Sequence, residues 1–450
     1  MNMTLVRRLL LREWLWLALV FPLIIAARPA FSPILLLLPY LWIVRKANTG
    51  RFVPATPLNV SILCLLLMVF VSLYATADLA FSFPKIAGII FGIAVFFAVE
   101  ASTVGGERAL WSGVSLYMAF GPAVVILSLL GTEWSPEVRA LLPAIQRLPG
   151  PLLRQPNSEF GFNPNEVAGV LLWIAPLALV LALGLIAAIG SGRSGQFFER
   201  LPAATGWFLR ITLPVVALLT SATLLFSQSR AALAGLACAF FFVALVAAQR
   251  RRALVALIVV AIVAAAMVAG IGSDRVSSAL FSQLSIAYGT PSDAMNSLEG
   301  RQEIWTRALY AIQDFPLTGL GMNMFRRAVP VLYPLFIIGP GVDIAHAHNH
   351  FLQVALDLGF PGLVAYVAIW FGATLMLWRT WRQTMQFRLR ALTLGIAASL
   401  LAYAVYGLLD TVALGARPGF IFWYLLGLVA GAYRLVVAES TPGRDVARQG

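Results

Sequence analysis

Charge is scarce in this chain. Asp, Glu, Lys and Arg make up 11% of its 450 residues, hydrophobic residues make up 60%, and mean hydropathy is +0.87. A soluble domain carries about 25% charged residues, so a water-soluble fold is excluded. Lysine is almost absent, with only Lys46 and Lys85. Cysteine is limited to Cys64 and Cys238, both inside apolar runs, which implies no disulfide framework. Internal repeats, low-complexity tracts and a second domain are also missing. Histidine occurs three times, and all three lie in the run Ala345-His346-Ala347-His348-Asn349-His350.

Apolar runs long enough to cross a bilayer recur along the whole length. Spans are expected at roughly 14–27, 31–44, 57–77, 85–101, 109–131, 166–190, 207–227, 230–249, 253–272, 351–378, 391–413 and 418–437. A backbone that crosses lipid must satisfy its hydrogen bonds internally, so these are about twelve helices. The fold class is an all-α polytopic membrane protein, with residues 1–450 forming a single integral membrane domain. The N-terminus (Arg7, Arg8, Arg12, then Trp14 to Ala27) resembles a signal peptide. A second apolar run follows at once, so it reads as an uncleaved first span.

The formal charge is +13, from 32 basic and 19 acidic residues. The arginine preference fits either a G+C-rich coding sequence or the bidentate grip of guanidinium on phosphate. Nucleic acid is not an expected partner, because no basic stripe stands on a soluble domain. With the N-terminus cytoplasmic, Arg45-Lys46, Arg51, Arg108, Arg193, Arg200, Arg250 to Arg252, Arg379, Arg382, Arg388 and Arg390 all fall on cytoplasmic turns, as the positive-inside rule requires. The tail adds Arg434, Arg444 and Arg448, and both termini are cytoplasmic.

Two long connections fall on the outer side, residues 132–165 and 273–347. Connections of this length are functional or disordered. The second, between the ninth and tenth spans, is partly helical: apolar residues recur at 304, 305, 308, 309, 312 and 315 in helical register. Such a stripe suits the outer leaflet or the helix bundle. Pro316 and Gly319-Leu320-Gly321 end it.

Lys85, Arg230, Arg301 and Arg417 stand outside or at outer helix ends, and Arg139, Arg147 and Arg154 lie on the first outer loop. Each reads as a snorkelling anchor or as an anion contact. Arg230 follows the short turn Ser227-Gln228-Ser229 at a helix start, where free N–H groups favour an anion. The histidine cluster has three readings. Its spacing is that of metal ligands, yet no carboxylate pair accompanies it, although Asp343 is near. It also fits a structural cap, or a base that titrates near neutral pH.

The stretch His348-Asn349, nine residues, then Gly359-Phe360-Pro361-Gly362 resembles the signature of the O-antigen ligase and polymerase superfamily. Ser229-Arg230-Ala231-Ala232-Leu233 and Glu299-Gly300-Arg301 with Ile304-Trp305 are similar to that family's two arginine motifs. The hydropathy plan agrees over the whole chain, while the motifs cover about residues 227–363. The resemblance implies a GT-C-like bundle in the bacterial inner membrane with its site facing the periplasm. It implies inverting, metal-independent transfer of a glycan from undecaprenyl pyrophosphate to a lipid A–core hydroxyl in lipopolysaccharide biosynthesis, with no cofactor and no metal. On that reading His348 is the catalytic base. Arg230 and Arg301, with Lys85 as a third contact, hold the pyrophosphate, and Asn349, Gly359 and Gly362 support the motif. His346 and His350 are expected to tolerate replacement better than His348. An O-antigen polymerase or a protein O-oligosaccharyltransferase would use the same donor. A lipid-linked sugar transporter would place charges near the bilayer midplane and show repeats.

Overall fold

The computed structural model describes residues 37–132, 162–190, 203–247, 298–339 and 342–439, with a few isolated residues besides. The chain forms α1 (Leu37–Thr49), α2 (Asn59–Ala75), α3 (Leu79–Ser102), α4 (Glu107–Gly131), α5 (Pro164–Gly190), α6 (Ala203–Phe226) and α7 (Arg230–Ala247). Then follow α8 (Leu298–Asp314), α9 (Phe325–Leu332), α10 (His350–Gln383), α11 (Phe387–Gly407) and α12 (Phe420–Glu439). No strand is present among the described residues.

The chain is a helical polytopic membrane protein. Among the described residues seven helices are long and apolar enough to cross a membrane: α3, α4, α5, α6, α10, α11 and α12, the first and last extended by a 3-10 turn. α2 and α7 are apolar but shorter. Nine of the expected spans therefore fall on described helices. The 31–44 run coincides only in part with α1, and the spans at 14–27 and 253–272 lie outside the described residues, as do Arg139, Arg147, Arg154 and most of the 132–165 segment.

α3, α5, α11 and α12 are buried along most of their length, whereas α4, α6 and α10 keep one face outward. α11 packs between α5 and α7, α12 lies along α3, and α10 packs on α2. On α2 the outward face carries Val60, Leu63, Leu67, Phe70 and Leu73 at helical spacing, a surface suited to lipid.

Alternation of helix direction puts the starts of α3, α5, α7, α10 and α12 at one end of the bundle, together with the end of α11. At the opposite end two ion pairs, each with one buried partner, lock helices together. Arg388 Nε on α11 lies 2.6 Å from Glu107 Oε1 on α4, and Arg434 on α12 pairs with Glu100 and Thr103 of α3.

α10 is 34 residues long. At 1.5 Å per residue that is about 50 Å, well beyond a hydrocarbon core of about 30 Å. The excess is resolved at Gly359, whose φ of 68° and ψ of 179° break the helix into two halves. Only glycine adopts that backbone readily. The halves fold toward each other: His350 Nε2 reaches the Tyr366 hydroxyl at 2.7 Å, although sixteen residues separate them. A short turn, Pro316 to Leu320, seats on the elbow through Phe360 N–H donating to Pro316 O and Leu320 N–H to Leu356 O, both at 2.7 Å.

α8 buries Ile304, Ala308 and Ala311 against Phe325, Val329, Tyr333, Leu335, Ile344, Ala347 and Leu356, a small core separate from that of the bundle. The stripe thus holds at 304 and 308. It fails at Leu309 and Phe315, which face outward, because the buried line runs through Ala311 instead.

Candidate active site

The histidine run is buried at the start of α10. His346, His348 and His350 are 7%, 6% and 2% exposed. Asn349 accounts for the local geometry. It is the N-cap of α10, its Oδ1 accepting from the N–H groups of Phe351 and Leu352 at 3.0 Å. Its Nδ2 donates to Leu408 O at 3.1 Å, which binds the histidine run to the turn after α11. His348, just before the cap, adopts φ +47°, a left-handed backbone unusual for a residue with a Cβ. Gln353 completes the support, accepting from Ala347 N–H at 2.9 Å and donating to Asp357 at 3.0 Å.

The three histidines do not act as one face. His350 is locked: Nδ1 meets Thr411 Oγ1 at 2.8 Å, Nε2 meets Tyr366, and Tyr366 and Tyr403 pack edge-on against the ring. His346 and His348 meet edge to face with ring centroids 4.4 Å apart, and the His348 backbone N–H donates to His346 Nδ1 at 3.3 Å. His348 Nδ1 lies 3.4 Å from Asp410 Oδ1. That contact is close enough for an ion pair but too oblique for a hydrogen bond, so Nδ1 is buried without a hydrogen-bond partner.

Asp410 is the carboxylate that the sequence reading lacked. The nearby Asp343 is not available, since Arg326 Nε donates to it at 2.5 Å on an exposed surface. Burial works to raise the Asp410 carboxyl, but the imidazoles of His348 and His346 and the Thr411 N–H outweigh it and hold the group below the usual carboxylate range. Burial, and then the neighbouring His348, push His346 down to about 3, with Lys85 and Arg301 adding to the effect and Asp410 opposing it. His346 is therefore neutral near pH 7.

Arg301 reaches this cluster from α8. Its Nη1 donates to Leu409 O at 2.8 Å, one residue before Asp410, and its Nε is buried with no partner. Lys85, on the first turns of α3, is within electrostatic range of Glu166, Asp357, Arg417, Arg326 and His346. Gly415, at φ +77°, lets the α11–α12 connection lie directly on the Lys85 backbone. Arg230 is exposed at the start of α7. A Cβ on Gly235 would strike the Ala402 carbonyl, so Arg230 stands about 7 Å further out along α7, level with the turn that carries Asp410. Lys85, Arg230 and Arg301 thus occupy one end of the bundle with His348.

Gly359 belongs to the elbow described above, and a Cβ on Gly362 would strike Leu358. Both glycines shape the helix break and neither faces the imidazoles. Glu166, on the first turn of α5, is within electrostatic range of Lys85, Asp410 and His348. Asp410 and Glu166 escaped the sequence reading, though a signal existed for the first: Asp410 is the only acidic residue between Asp357 and Glu439, and an isolated acid in apolar helices is a functional candidate by default.

Comparison with curated proteins finds no significant match to this chain. A family model described as O-antigen ligase matches residues 215–367. That segment holds Arg230, Arg301, the histidine run and both elbow glycines, while Lys85, Glu166, Asp410 and Arg417 lie outside it. The match covers this third of the chain, lies on a helical membrane bundle, and supports assignment to the O-antigen ligase family.

Proposed function

We propose that the protein transfers a glycan from undecaprenyl pyrophosphate to a hydroxyl of lipid A–core oligosaccharide, at the periplasmic face of the bacterial inner membrane. The observation that carries this reading is the buried His348–Asp410 pair, with Arg301 anchored on the same turn. His348 takes the proton of the acceptor hydroxyl. As the acceptor oxygen bonds to the sugar's anomeric carbon from the face opposite the leaving group, the bond to the diphosphate oxygen breaks and configuration inverts. Asp410 faces Nδ1, which leaves Nε2 for the acceptor proton and stabilises the imidazolium that forms. Arg301 and Arg230, with Lys85, supply positive charge where the departing diphosphate gathers negative charge. A diphosphate leaves without protonation, so no acid is required, and the arginines stand where a metal would otherwise screen the phosphates.

The test is reconstitution of the purified chain in liposomes with undecaprenyl-pyrophosphate-linked glycan, offering lipid A–core and free glycan acceptors in separate reactions. Transfer to lipid A–core alone is expected. Extension of the free glycan alone would make the protein a polymerase. Passage of the donor across the membrane with no transfer to either acceptor would make it a transporter.

A further inference from the structure

We propose that His346, His348 and Asp410 form a binding site for a borderline divalent metal ion such as Zn²⁺, Co²⁺ or Ni²⁺, and that an ion held there blocks transfer. One ligand atom from each residue lies within 4.8 Å of the others, and all three residues are buried. Independently, Nδ1 of His348 has no hydrogen-bond partner although it is buried. Both nitrogens of the neighbouring His350 are engaged, so that ring is not available as a ligand.

Two imidazoles and one carboxylate suit zinc and its neighbours, not magnesium or calcium, which prefer all-oxygen sets. Donor atoms around tetrahedral zinc, with bonds of about 2.1 Å, stand about 3.4 Å apart. Closing the set from 4.8 Å needs side-chain movement of about an ångström. The backbone is already in place, because Asn349 and Arg301 both fasten the turn that carries Asp410. Arg301 and Lys85 oppose a cation here, while Glu166 favours one. An ion bound to His348 would occupy the imidazole and draw Asp410 away from its orienting role. The inhibitory half of the proposal rests on His348 acting as the base; the binding half does not.

The test uses the full chain in nanodiscs, stripped with EDTA and titrated with Co²⁺ while visible absorption is followed. One equivalent should give ligand-field bands that Zn²⁺ abolishes. His346→Ala and Asp410→Asn should lose those bands, by more than the ~10–100-fold that loss of an outer-shell partner costs in affinity. Asp343→Asn should keep them. Zn²⁺ should inhibit the wild type, EDTA should reverse it, and the transfer that His346→Ala retains should be zinc-resistant. If His346→Ala elutes as aggregate, His346→Gln replaces it. Absence of bands, or bands unchanged in the His346 and Asp410 variants, overturns the site. Bands with undiminished transfer leave the site standing and refute His348 as the base. Loss of transfer on stripping, restored by Zn²⁺, overturns the inhibitory role.

Discussion

The pairing of His348 with Asp410 carries the sharpest expectation at the residue scale. His348→Ala should lower transfer by about 10²–10⁴-fold, the usual weight of a positioned base, while donor binding persists. Asp410→Asn keeps the shape of the pair but removes the charge that stabilises an imidazolium. It should lower kcat with little change in KM and move the acid limb of the pH–rate profile. Turnover near wild type in a folded His348→Ala sample would refute the assignment. Arg301 offers a second check. Its guanidinium bridges to Leu409 O and keeps Nε free, a division of labour that an ammonium cannot copy. Arg301→Lys and Arg230→Lys should worsen both KM and kcat, with Arg139→Lys as the control; an equal fall in the control would make the two arginines membrane-edge anchors. His346 predicts an acid instability. Its value near 3 in the fold lies below the ordinary 6.5 of an unfolded chain, so the fold resists its protonation. Stability is therefore complete above about pH 6.5 and is lost progressively as pH falls toward 3, by about 2 kcal/mol at pH 5 from this group. Unfolding of the wild type and His346→Gln at pH 7 and pH 5 measures it: the wild type should lose more on acidification.

At the scale of elements, the elbow in α10 governs where the histidines sit. Gly359→Ala must adopt a backbone costing about 1–3 kcal/mol and must also push the Leu317 carbonyl, 2.5 Å from the new Cβ. The expected result is a fall in thermal stability and in transfer together. Gly50→Ala, also at positive φ but with open space around it, should lower stability less and leave transfer intact. The helices themselves were legible in the sequence, since runs such as 166–190 and 418–437 have one physical solution in lipid. The α8 stripe was half legible: periodicity found Ile304 and Ala308, but the buried line then follows the small Ala311, whose low hydrophobicity hides it. Asn349 could be read as part of a motif, but its double duty as cap and as tie to Leu408 depends on a turn nearly sixty residues away. The same separation concealed Asp410. No local pattern joins residue 410 to residue 348, and only the packing of α11 beside the start of α10 does so.

For the whole molecule, the charges within the bundle are divided between two ends. Among the described residues, the end with His348 gathers the buried Asp357 and Asp410, the partly buried Lys85, Glu166 and Arg301, and the exposed Arg417, while the other holds the ion pairs of Arg388 with Glu107 and Arg434 with Glu100. The pairs at the second end hold helices in register far from the chemistry. Arg388→Met strips Glu107 of its guanidinium and should cost about 3 kcal/mol, the lower part of the range for a broken buried pair, because Glu107 keeps some access to solvent. Unfolding of the detergent-solubilised variant should show that loss, with transfer per folded molecule unchanged. A variant that folds as stably as wild type but fails in transfer would mean that the two ends are coupled.

The seat of the Pro316–Leu320 turn on the elbow also bears on how such chains recombine. Each side supplies the other's backbone hydrogen bonds, and Gly319 and Gly359 leave no room for a foreign neighbour. A crossover between two related genes that falls within 320–359 would join a turn from one parent to a bend from the other. Viable chimeras should instead inherit residues 316–362 as an undivided block, with breakpoints tolerated before Pro316 or after Gly362.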